Sequence, residues 1–460
     1  MMEHLFRVTR LWSIAPVLRL ESKDRLSHSG KRLEAPAIGR STRQRKIYLL
    51  GTLSYAGLIV YGSLYPLSGW RVPSTQIFHF VAASLPEHLS KADLLTNVLA
   101  YIPLGALIGW TIISKGSTAV LVVAGMAGGA LSFIMESTQM FLPSRTSSNV
   151  DLLTNIAGVL LGAAIGRTFS PGSGIMRRLT AVRNRWFTGS QAVDAGLGAL
   201  LLWALSQLSP FVPSADVSTI REGLSPLWYG WNNPSSLSVL KIAGYALDIS
   251  GLGLLTTIMA HAQRRAASYF LLLAGIVFCL KPFIVGRQIS LEALAGLVVA
   301  AVFLGLAVYG NALRALLAIL CVMSGFVVQE LTPVGSAMHG FHWIPFAGQV
   351  DNTVSGFGSI LEGVWPFVAL AALTMFGFGL RRKPMLYGGG IILLVVFGLE
   401  WSQQQVPGRY GDITTVLLAT LGWSSGWLFA TVDHRKPDRG LQRQERRAAG
   451  LGSRWPAKHV

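Results

Sequence analysis

Carboxylate, amide and guanidinium side chains gather in one part of a chain that is otherwise strongly apolar. These candidate site residues are Asp93, Asn97, Glu136, Gln139, Arg145, Asp151 and Asn155. Arginine, amide groups and the free N–H groups of a helix start bind phosphate, pyrophosphate, sugar or peptide groups. A carboxylate can instead act as a general acid or base. The residue types therefore point to a site for a polar ligand.

The spacing around Glu136 leaves three roles open. Glu136 lies seven residues before Pro143, which places it about 10 Å inside the end of its helix. Gln139 shares its helix face, and Arg145 in the following loop is expected to fold back onto Glu136. A carboxylate at that depth of a membrane is costly unless it is paired or hydrated. A polar lock between helices, a binding site and a catalytic site all satisfy this requirement, although the chain carries no metalloprotease, nucleophile-elbow or nucleotide-loop motif.

A second set of residues repeats this pattern near the end of the chain. Its members are Glu400, Gln403, Arg409 and Asp412. The steps from the glutamate to the glutamine, to a proline and to the arginine are 3, 7 and 9 residues in both places, and only the stretch from arginine to aspartate is shorter. The string Asp-Leu-Leu-Thr-Asn also occurs twice, at 93–97 and 151–155. These repeats predict two modules of the same orientation, the second degenerate because Val416 replaces Asn155.

The elements that position these residues are membrane helices. Hydrophobic residues make up 51% of the 460 positions and charged residues only 13%, against about 25% in an ordinary soluble domain. The apolar residues form about twelve blocks long enough to cross a bilayer. We therefore predict an all-α, polytopic transmembrane helical bundle with two four-span modules. Its predicted parts are a basic tail (1–46), the intact module (47–170), linker and spacer helices (171–311), the degenerate module (312–431) and a second basic tail (432–460).

The basic residues predict how the chain crosses the membrane. When both tails are placed in the cytoplasm, 31 of the 39 lysines and arginines but only 8 of the 21 acids fall on that side, as the positive-inside rule requires. The net charge of +18 is thereby explained without nucleic acid, for which the chain has no binding motif. The predicted partner is the lipid bilayer. No cleaved signal peptide, cofactor or metal site is expected.

Three further acids lie inside apolar blocks, namely Asp248, Glu330 and Glu362. Lys241 lies two helical turns from Asp248 on the same helix face. A buried polar lock and a proton or ion relay are both compatible with these acids.

The motifs of the first module are similar to those of the VanZ-like family of bacterial membrane proteins, named for teicoplanin resistance. They are Asp93-Leu-Leu-Thr-Asn97, Pro103-Leu-Gly105, Glu136-x-x-Gln139-x-x-x-Pro143-x-Arg145 and Asp151-x-x-x-Asn155-x-x-Gly158. The resemblance covers residues 47–170 and, in part, 312–431. It implies a small helical membrane fold and a role in the bacterial cell envelope, in the inner (plasma) membrane, and it supplies no reaction.

These observations lead to one expected function and two alternatives. The expected function is binding or processing of an envelope component at the outer leaflet, such as a lipid-linked glycan, a phospholipid or a peptidoglycan precursor. One alternative is a transporter or flippase for a lipid-linked sugar or glycan, because repeats of one orientation occur in transporters. The other is a membrane scaffold without a ligand. Whether the protein is an enzyme is left open.

Overall fold

Apolar runs of about twenty residues become helices because a membrane-spanning segment must satisfy its backbone N–H and C=O groups internally. The computed structural model describes residues 38–73, 76–84, 91–112, 117–170, 173–306, 310–351 and 353–432, and within these ranges the chain is helical and without strands. The C-terminal tail and most of the N-terminal tail predicted to be cytoplasmic lie outside the described residues.

Fifteen α-helices follow one another along the described residues. They are α1 (Ile38–Leu64), α2 (Lys91–Thr111), α3 (Ser117–Gln139), α4 (Asn149–Thr168), α5 (Gly174–Trp186), α6 (Ala192–Leu208), α7 (Val217–Asn232), α8 (Val239–Met259), α9 (Gln263–Leu280), α10 (Leu291–Leu306), α11 (Asn311–Leu331), α12 (Ala347–Asp351), α13 (Thr353–Phe378), α14 (Arg382–Gln403) and α15 (Ile413–Val432).

Nine of these helices are long and apolar enough to cross a membrane, so the protein is a multi-pass integral membrane protein. Three shorter apolar helices, α6, α10 and α15, occupy the remaining segments for which the sequence predicts spans. The helical membrane bundle is therefore confirmed. The count of twelve crossings stays a prediction for these three helices.

The first helix begins earlier than the sequence predicts. The predicted basic tail reaches residue 46, whereas α1 starts at Ile38. The intervening segment carries arginine, lysine and glutamine, which have high helix propensity even where they are too polar for lipid. The apolar span Ile47–Leu64 thus continues a basic helical turn or two.

Close backbone packing joins α2 to α4. A Cβ atom on Gly162 would overlap the carbonyl oxygen of Ile102, and one on Gly166 would lie 2.7 Å from the carbonyl oxygen of Ala106. Small residues at such positions let membrane helices approach each other closely. The two helices that begin with the repeated Asp-Leu-Leu-Thr-Asn string therefore run side by side.

The apolar interior is divided between the two ends of the chain. One buried cluster lies within the first four helices and includes Leu104, Val120 and Val159. A larger cluster joins α6, α8 to α11 and α13 to α15. Tyr61 of α1 connects the two parts, since its hydroxyl donates to the carbonyl of Pro345 and its ring meets Phe346 edge-on at 6.4 Å between centroids.

Candidate functional site

Glu136 is buried at the end of α3 and holds the start of α4. The residue is only 3% exposed, and its Oε2 accepts the backbone N–H of Ser148 at 2.9 Å. Ser148 caps α4, because its hydroxyl oxygen accepts the N–H groups of Val150 and Asp151. A helix N-terminus leaves several N–H groups without partners. Glu136 and Ser148 together satisfy three of them.

Arg145 does not form the ion pair with Glu136 that the sequence predicts. Its Nε donates to the carbonyl of Tyr65 at 3.0 Å and its Nη2 to the carbonyl of Gly62 at 3.1 Å. The salt bridges among the described residues do not include Arg145. The guanidinium instead caps the C-terminal end of α1, where unpaired carbonyls and the helix dipole favour a cation.

Gln139 contributes to the same junction. Its Nε2 donates to the carbonyl of Ser63 at 2.9 Å. Together with Arg145 it fixes the end of α1 against α3. Gln139 and Arg145 therefore join two helices. The acids and amides that remain as candidate ligand contacts are those at the starts of α2 and α4.

Asp151 and Asn97 meet at the adjacent starts of α4 and α2. Asn97 Nδ2 donates to Asp151 Oδ1 at 2.8 Å, and both side chains are partly exposed. Asp93 lies in the first turn of α2, one helical turn before Asn97. The three residues form an acidic cluster, hereafter the outer cluster, at the ends of two parallel helices.

Asn155 lies one turn deeper on α4 and faces a small polar interior. Its Nδ2 donates to the hydroxyl of Ser132 at 3.0 Å. Within the described residues its Oδ1 and the hydroxyl of Tyr101 are buried without a hydrogen-bond partner. Asn155 and Tyr101 are 5% and 4% exposed. The structure thus brings Asn155 near Glu136 in the bundle but gives them different partners.

The second set of residues forms a denser network. Glu400 is 1% exposed and its Oε2 accepts the N–H of Asp412 at 2.8 Å. Gln403 Nε2 donates to Glu400 Oε1 at 3.1 Å and to Glu330 Oε2 at 3.0 Å. Glu330 thus joins the site; the sequence marks it as an acid inside an apolar block but does not connect it with Glu400, because the two lie on different helices.

Arg409 repeats the contacts of Arg145. Its Nε donates to the carbonyl of Thr332 at 2.9 Å and its Nη2 to the carbonyl of Gln329, at the C-terminal end of α11. Its Nη1 also lies 3.8 Å from Glu330 Oε2. Arg409 therefore caps a helix and has a carboxylate partner, whereas Arg145 only caps a helix.

A third arginine, which lies between the two sets along the chain, makes contacts of the same kind. Arg287 donates from Nε to the carbonyl of Ser209 and from Nη2 to the carbonyl of Ser206 at 2.9 Å, at the end of α6. Ser290, three residues later, accepts the N–H of Ala293 at the start of α10. Ser148 and Asp412 follow Arg145 and Arg409 by the same three residues.

These contacts change the register between the first and second sets. Ser148 and Asp412 both cap a helix twelve residues after the buried glutamate, so Asp412 corresponds to Ser148 and not to Asp151. Gly422 packs on the carbonyl of Val364 as Gly158 packs on that of Val98. In this register the second set has other residues in place of Asp93, Asn97, Asp151 and Asn155. They are Ser359, Gly363, Thr415 and Ala419.

Tyr410 and His342 line the edge of the second set. Their rings stack with centroids 4.4 Å apart. Burial raises the pKa of Tyr410, and the nearby charges of Asp412 and Glu400 raise it further. The phenol therefore stays neutral across the physiological range, and His342 serves here in aromatic packing.

A comparison with known families identifies the part of the chain that contains the first set. The VanZ/LLP1 family matches residues 48–170 of the chain. Residues 48–170 form a VanZ-like module. The matched range runs from α1 to the end of α4, so the VanZ-like module contains the outer cluster and both ends of each hydrogen bond described for Glu136 and Arg145. No curated protein and no solved structure matches the chain.

Proposed function

We propose that this protein is an integral protein of the bacterial plasma membrane whose VanZ-like module binds a cell-envelope component at the outer leaflet, and that the outer cluster is the binding surface. The hydrogen bond between Asn97 and Asp151, beside Asp93, carries this proposal. It joins the two repeated strings at one partly exposed point. Carboxylate and amide oxygens accept hydrogen bonds from sugar hydroxyls and ammonium groups, whereas two carboxylates repel phosphate.

The polar residues that hold helix ends differ from those of the outer cluster, and this difference supports the assignment. Glu136, Gln139 and Arg145 satisfy helix ends, and Glu400 and Arg409 do the same elsewhere in the chain. We propose that residues 192–306 and 311–432 are two further copies of the scaffold of the VanZ-like module. The acids and amides of the outer cluster have no counterpart in the last copy. A residue that only holds the scaffold together has reason to recur, whereas a ligand contact does not.

The ligand class follows from the charge and depth of the outer cluster. Two acids and an amide at helix ends suit the hydroxyl or amino groups of a lipid-linked glycan or a peptidoglycan precursor. Nearby, Trp70, Ile77 and Phe78 expose about half of their surfaces on the loop after α1. Exposed aromatic and apolar side chains of this kind sit at a membrane interface, where the lipid part of such a ligand would lie.

Binding to purified protein tests this function. Full-length protein in nanodiscs is titrated with a lipid-linked disaccharide-pentapeptide precursor, and phosphatidylglycerol serves as the comparison lipid. We expect Asp151→Asn and Asn97→Ala to weaken binding of the glycan lipid at least tenfold. The matched control is Asp216→Asn, at the exposed start of α7, which should leave binding unchanged. Equal affinity in all variants would place the ligand away from the outer cluster, and no binding at all would favour a scaffold without a ligand.

The proposed orientation places both tails in the cytoplasm and the outer cluster outside. In a variant without Cys279 and Cys321, single cysteines are introduced at Ser144, Gln405 and Thr180, all exposed. An impermeant thiol reagent added to intact cells should label positions 144 and 405 and spare position 180. The opposite pattern would reverse the orientation and remove the outer leaflet from the proposal.

A further inference from the structure

Helix α5 is short, basic and apolar along one line only. Its large apolar side chains follow one another at steps of four, three and four residues, which confines them to about 60° of the helix circumference. They are Ile175, Leu179, Val182 and Trp186, hereafter the α5 stripe. The thirteen residues of α5 also include four arginines and no acid. This pattern is typical of helices that lie in the plane of a membrane surface.

The α5 stripe faces away from the rest of the described chain. Its four side chains are between 45% and 56% exposed, and no residue of α5 is buried. Contiguous apolar surface of this kind is unfavourable in water and marks a contact with lipid or protein. Lipid lies within reach, because five residues separate α5 from the membrane helix α4 and five more separate it from α6.

The end of α5 is fixed against the lipid-facing side of α9. The carbonyl of Trp186 accepts the N–H of His261 at 3.1 Å, and the Trp186 ring meets that of Tyr269 edge-on, with centroids 5.3 Å apart. Tyr269 begins an exposed row on this membrane helix, which continues with Leu272 and Ile276. Tryptophan and tyrosine are enriched at the membrane edge. Through Trp186 the α5 stripe therefore joins a surface that lipid covers.

The arginines of α5 differ in their partners. Arg183 donates from Nε and Nη2 to Asp194 Oδ1, at 3.1 and 3.0 Å, and so ties α5 to the first turn of α6. The others, Arg177, Arg178 and Arg185, are exposed, and the salt bridges among the described residues do not include them. Arg178 and Arg185 lie two turns apart beside the same edge of the α5 stripe. Their apolar stems can follow that edge while the guanidinium groups reach a layer of headgroups.

The charge of α5 selects among the surfaces that could cover it. The two tails of the chain, 1–46 and 432–460, carry 11 and 8 lysines and arginines but only 4 and 3 acids, so a basic helix repels them. A bilayer with anionic lipids supplies hydrocarbon for the α5 stripe and phosphate for the arginines in one place. Arginine also binds phosphate through two parallel hydrogen bonds.

We propose that α5 lies in the plane of the membrane surface and binds anionic phospholipid, with the α5 stripe among the acyl chains and Arg178 and Arg185 on the phosphate groups. The headgroup of phosphatidylcholine carries its own cation, so phosphatidylglycerol is the preferred ligand. The lipid site is at the end of the bundle opposite the outer cluster, because α4 begins at that cluster and ends next to α5. It is independent of the function proposed for the outer cluster.

Depth measurements test the position of α5. In full-length protein without Cys279 and Cys321, a nitroxide is attached to a cysteine at Leu179, on the α5 stripe, or at Thr180, off it. The protein is placed in vesicles of phosphatidylglycerol and phosphatidylcholine. Relative to a water-soluble nickel chelate, oxygen should relax the label at 179 about three times more effectively than the label at 180. Equal ratios would overturn the in-plane position, and dipolar broadening at 179 would do so by showing that a second copy covers the stripe.

Lipid selectivity tests the arginines. A fluorophore at position 182 is quenched by phosphatidylglycerol or phosphatidylcholine that carries a nitroxide on its acyl chain. We expect phosphatidylglycerol to be favoured about threefold, and Arg178→Gln with Arg185→Gln to reduce this ratio to about one. Lysine at both positions should keep most of the preference, because it keeps the charge. The matched control, Arg221→Gln with Lys241→Gln, removes two exposed charges from other helices and should leave the ratio unchanged. A ratio near one in the protein with its native arginines, or one that the glutamine pair does not alter, would overturn the proposal.

Discussion

Replacement of Arg145 should weaken the VanZ-like module without disturbing Glu136. Arg145→Met removes two hydrogen bonds from a charged donor to the carbonyls of Gly62 and Tyr65, each worth about 1.5–3 kcal/mol. Arg145 is partly exposed, so water replaces some of this energy, and we expect a loss of about 2–4 kcal/mol. Arg145→Lys should lose roughly half as much, because an ammonium lacks the planar fork that reaches both carbonyls.

Equilibrium unfolding in mixed micelles measures these losses, and a double-mutant cycle tests their cause. Glu136 binds the N–H of Ser148 and shares no hydrogen bond with Arg145. The coupling energy between Glu136→Gln and Arg145→Met should therefore stay below about 0.5 kcal/mol. The pair Glu330→Gln and Arg409→Met should couple by about 0.5–1 kcal/mol, since these side chains are 3.8 Å apart and partly exposed. Coupling above about 1.5 kcal/mol for Glu136 and Arg145 would refute the separation of the two roles.

Two further outcomes can be checked on the same preparations. Gly162→Ala should destabilise the protein by about 1–3 kcal/mol in micelle unfolding, because its Cβ would overlap backbone that cannot yield, whereas Gly57→Ala, which meets nothing within 4 Å, should be neutral or slightly stabilising. The pKa of Tyr410 is higher in the folded protein than its ordinary value, so its contribution to stability is complete below about pH 10 and is lost as pH rises through the folded value. Wild-type protein should therefore lose thermal stability relative to Tyr410→Phe above about pH 10, and parallel pH profiles would contradict this.

The membrane helices were predictable because apolar length alone decides them. Each predicted span coincides with a helix. The observed helix ends differ from the predicted span ends where the helix continues beyond the apolar residues. At α1, arginine and glutamine continue the helix to Ile38, beyond the apolar stretch. Composition marks where a chain leaves the bilayer, and it does not mark where hydrogen bonding along the backbone stops.

The partners of the charged residues were harder to predict. The sequence pairs Arg145 with Glu136 because opposite charges close in sequence attract. Arg145 instead donates to backbone carbonyls about 80 residues away in sequence. Every residue has a backbone carbonyl, so the sequence does not indicate which one will accept. Asp248 likewise accepts a hydrogen bond from Gln329 on another helix, a partner that its own sequence neighbourhood does not indicate. Such contacts depend on how helices are arranged, which residue types do not reveal.

One signal in the middle helices could have been found. Gly286-Arg287 is followed by Ser290, as Gly408-Arg409 is followed by Asp412. Each of the three arginines also caps a helix that is followed by a proline within two residues, at Pro66, Pro210 and Pro333. Between residues 171 and 311 no glutamate and glutamine precede Arg287 at the spacing that they have before Arg145 and Arg409. A search that relies on those two residues therefore assigns these helices to a spacer.

The arginine caps also set an order on the synthesis of the chain. The carbonyls at the end of α1 wait for Arg145, which emerges from the ribosome about 80 residues later, and the ends of α6 and α11 wait equally long for Arg287 and Arg409. The hydrogen bonds at the ends of α1, α6 and α11 are therefore completed only when the corresponding arginine has been made. In a nascent chain arrested before residue 145, the carbonyls of Gly62 and Tyr65 lack the arginine that caps them, whereas a chain released after residue 170 contains it.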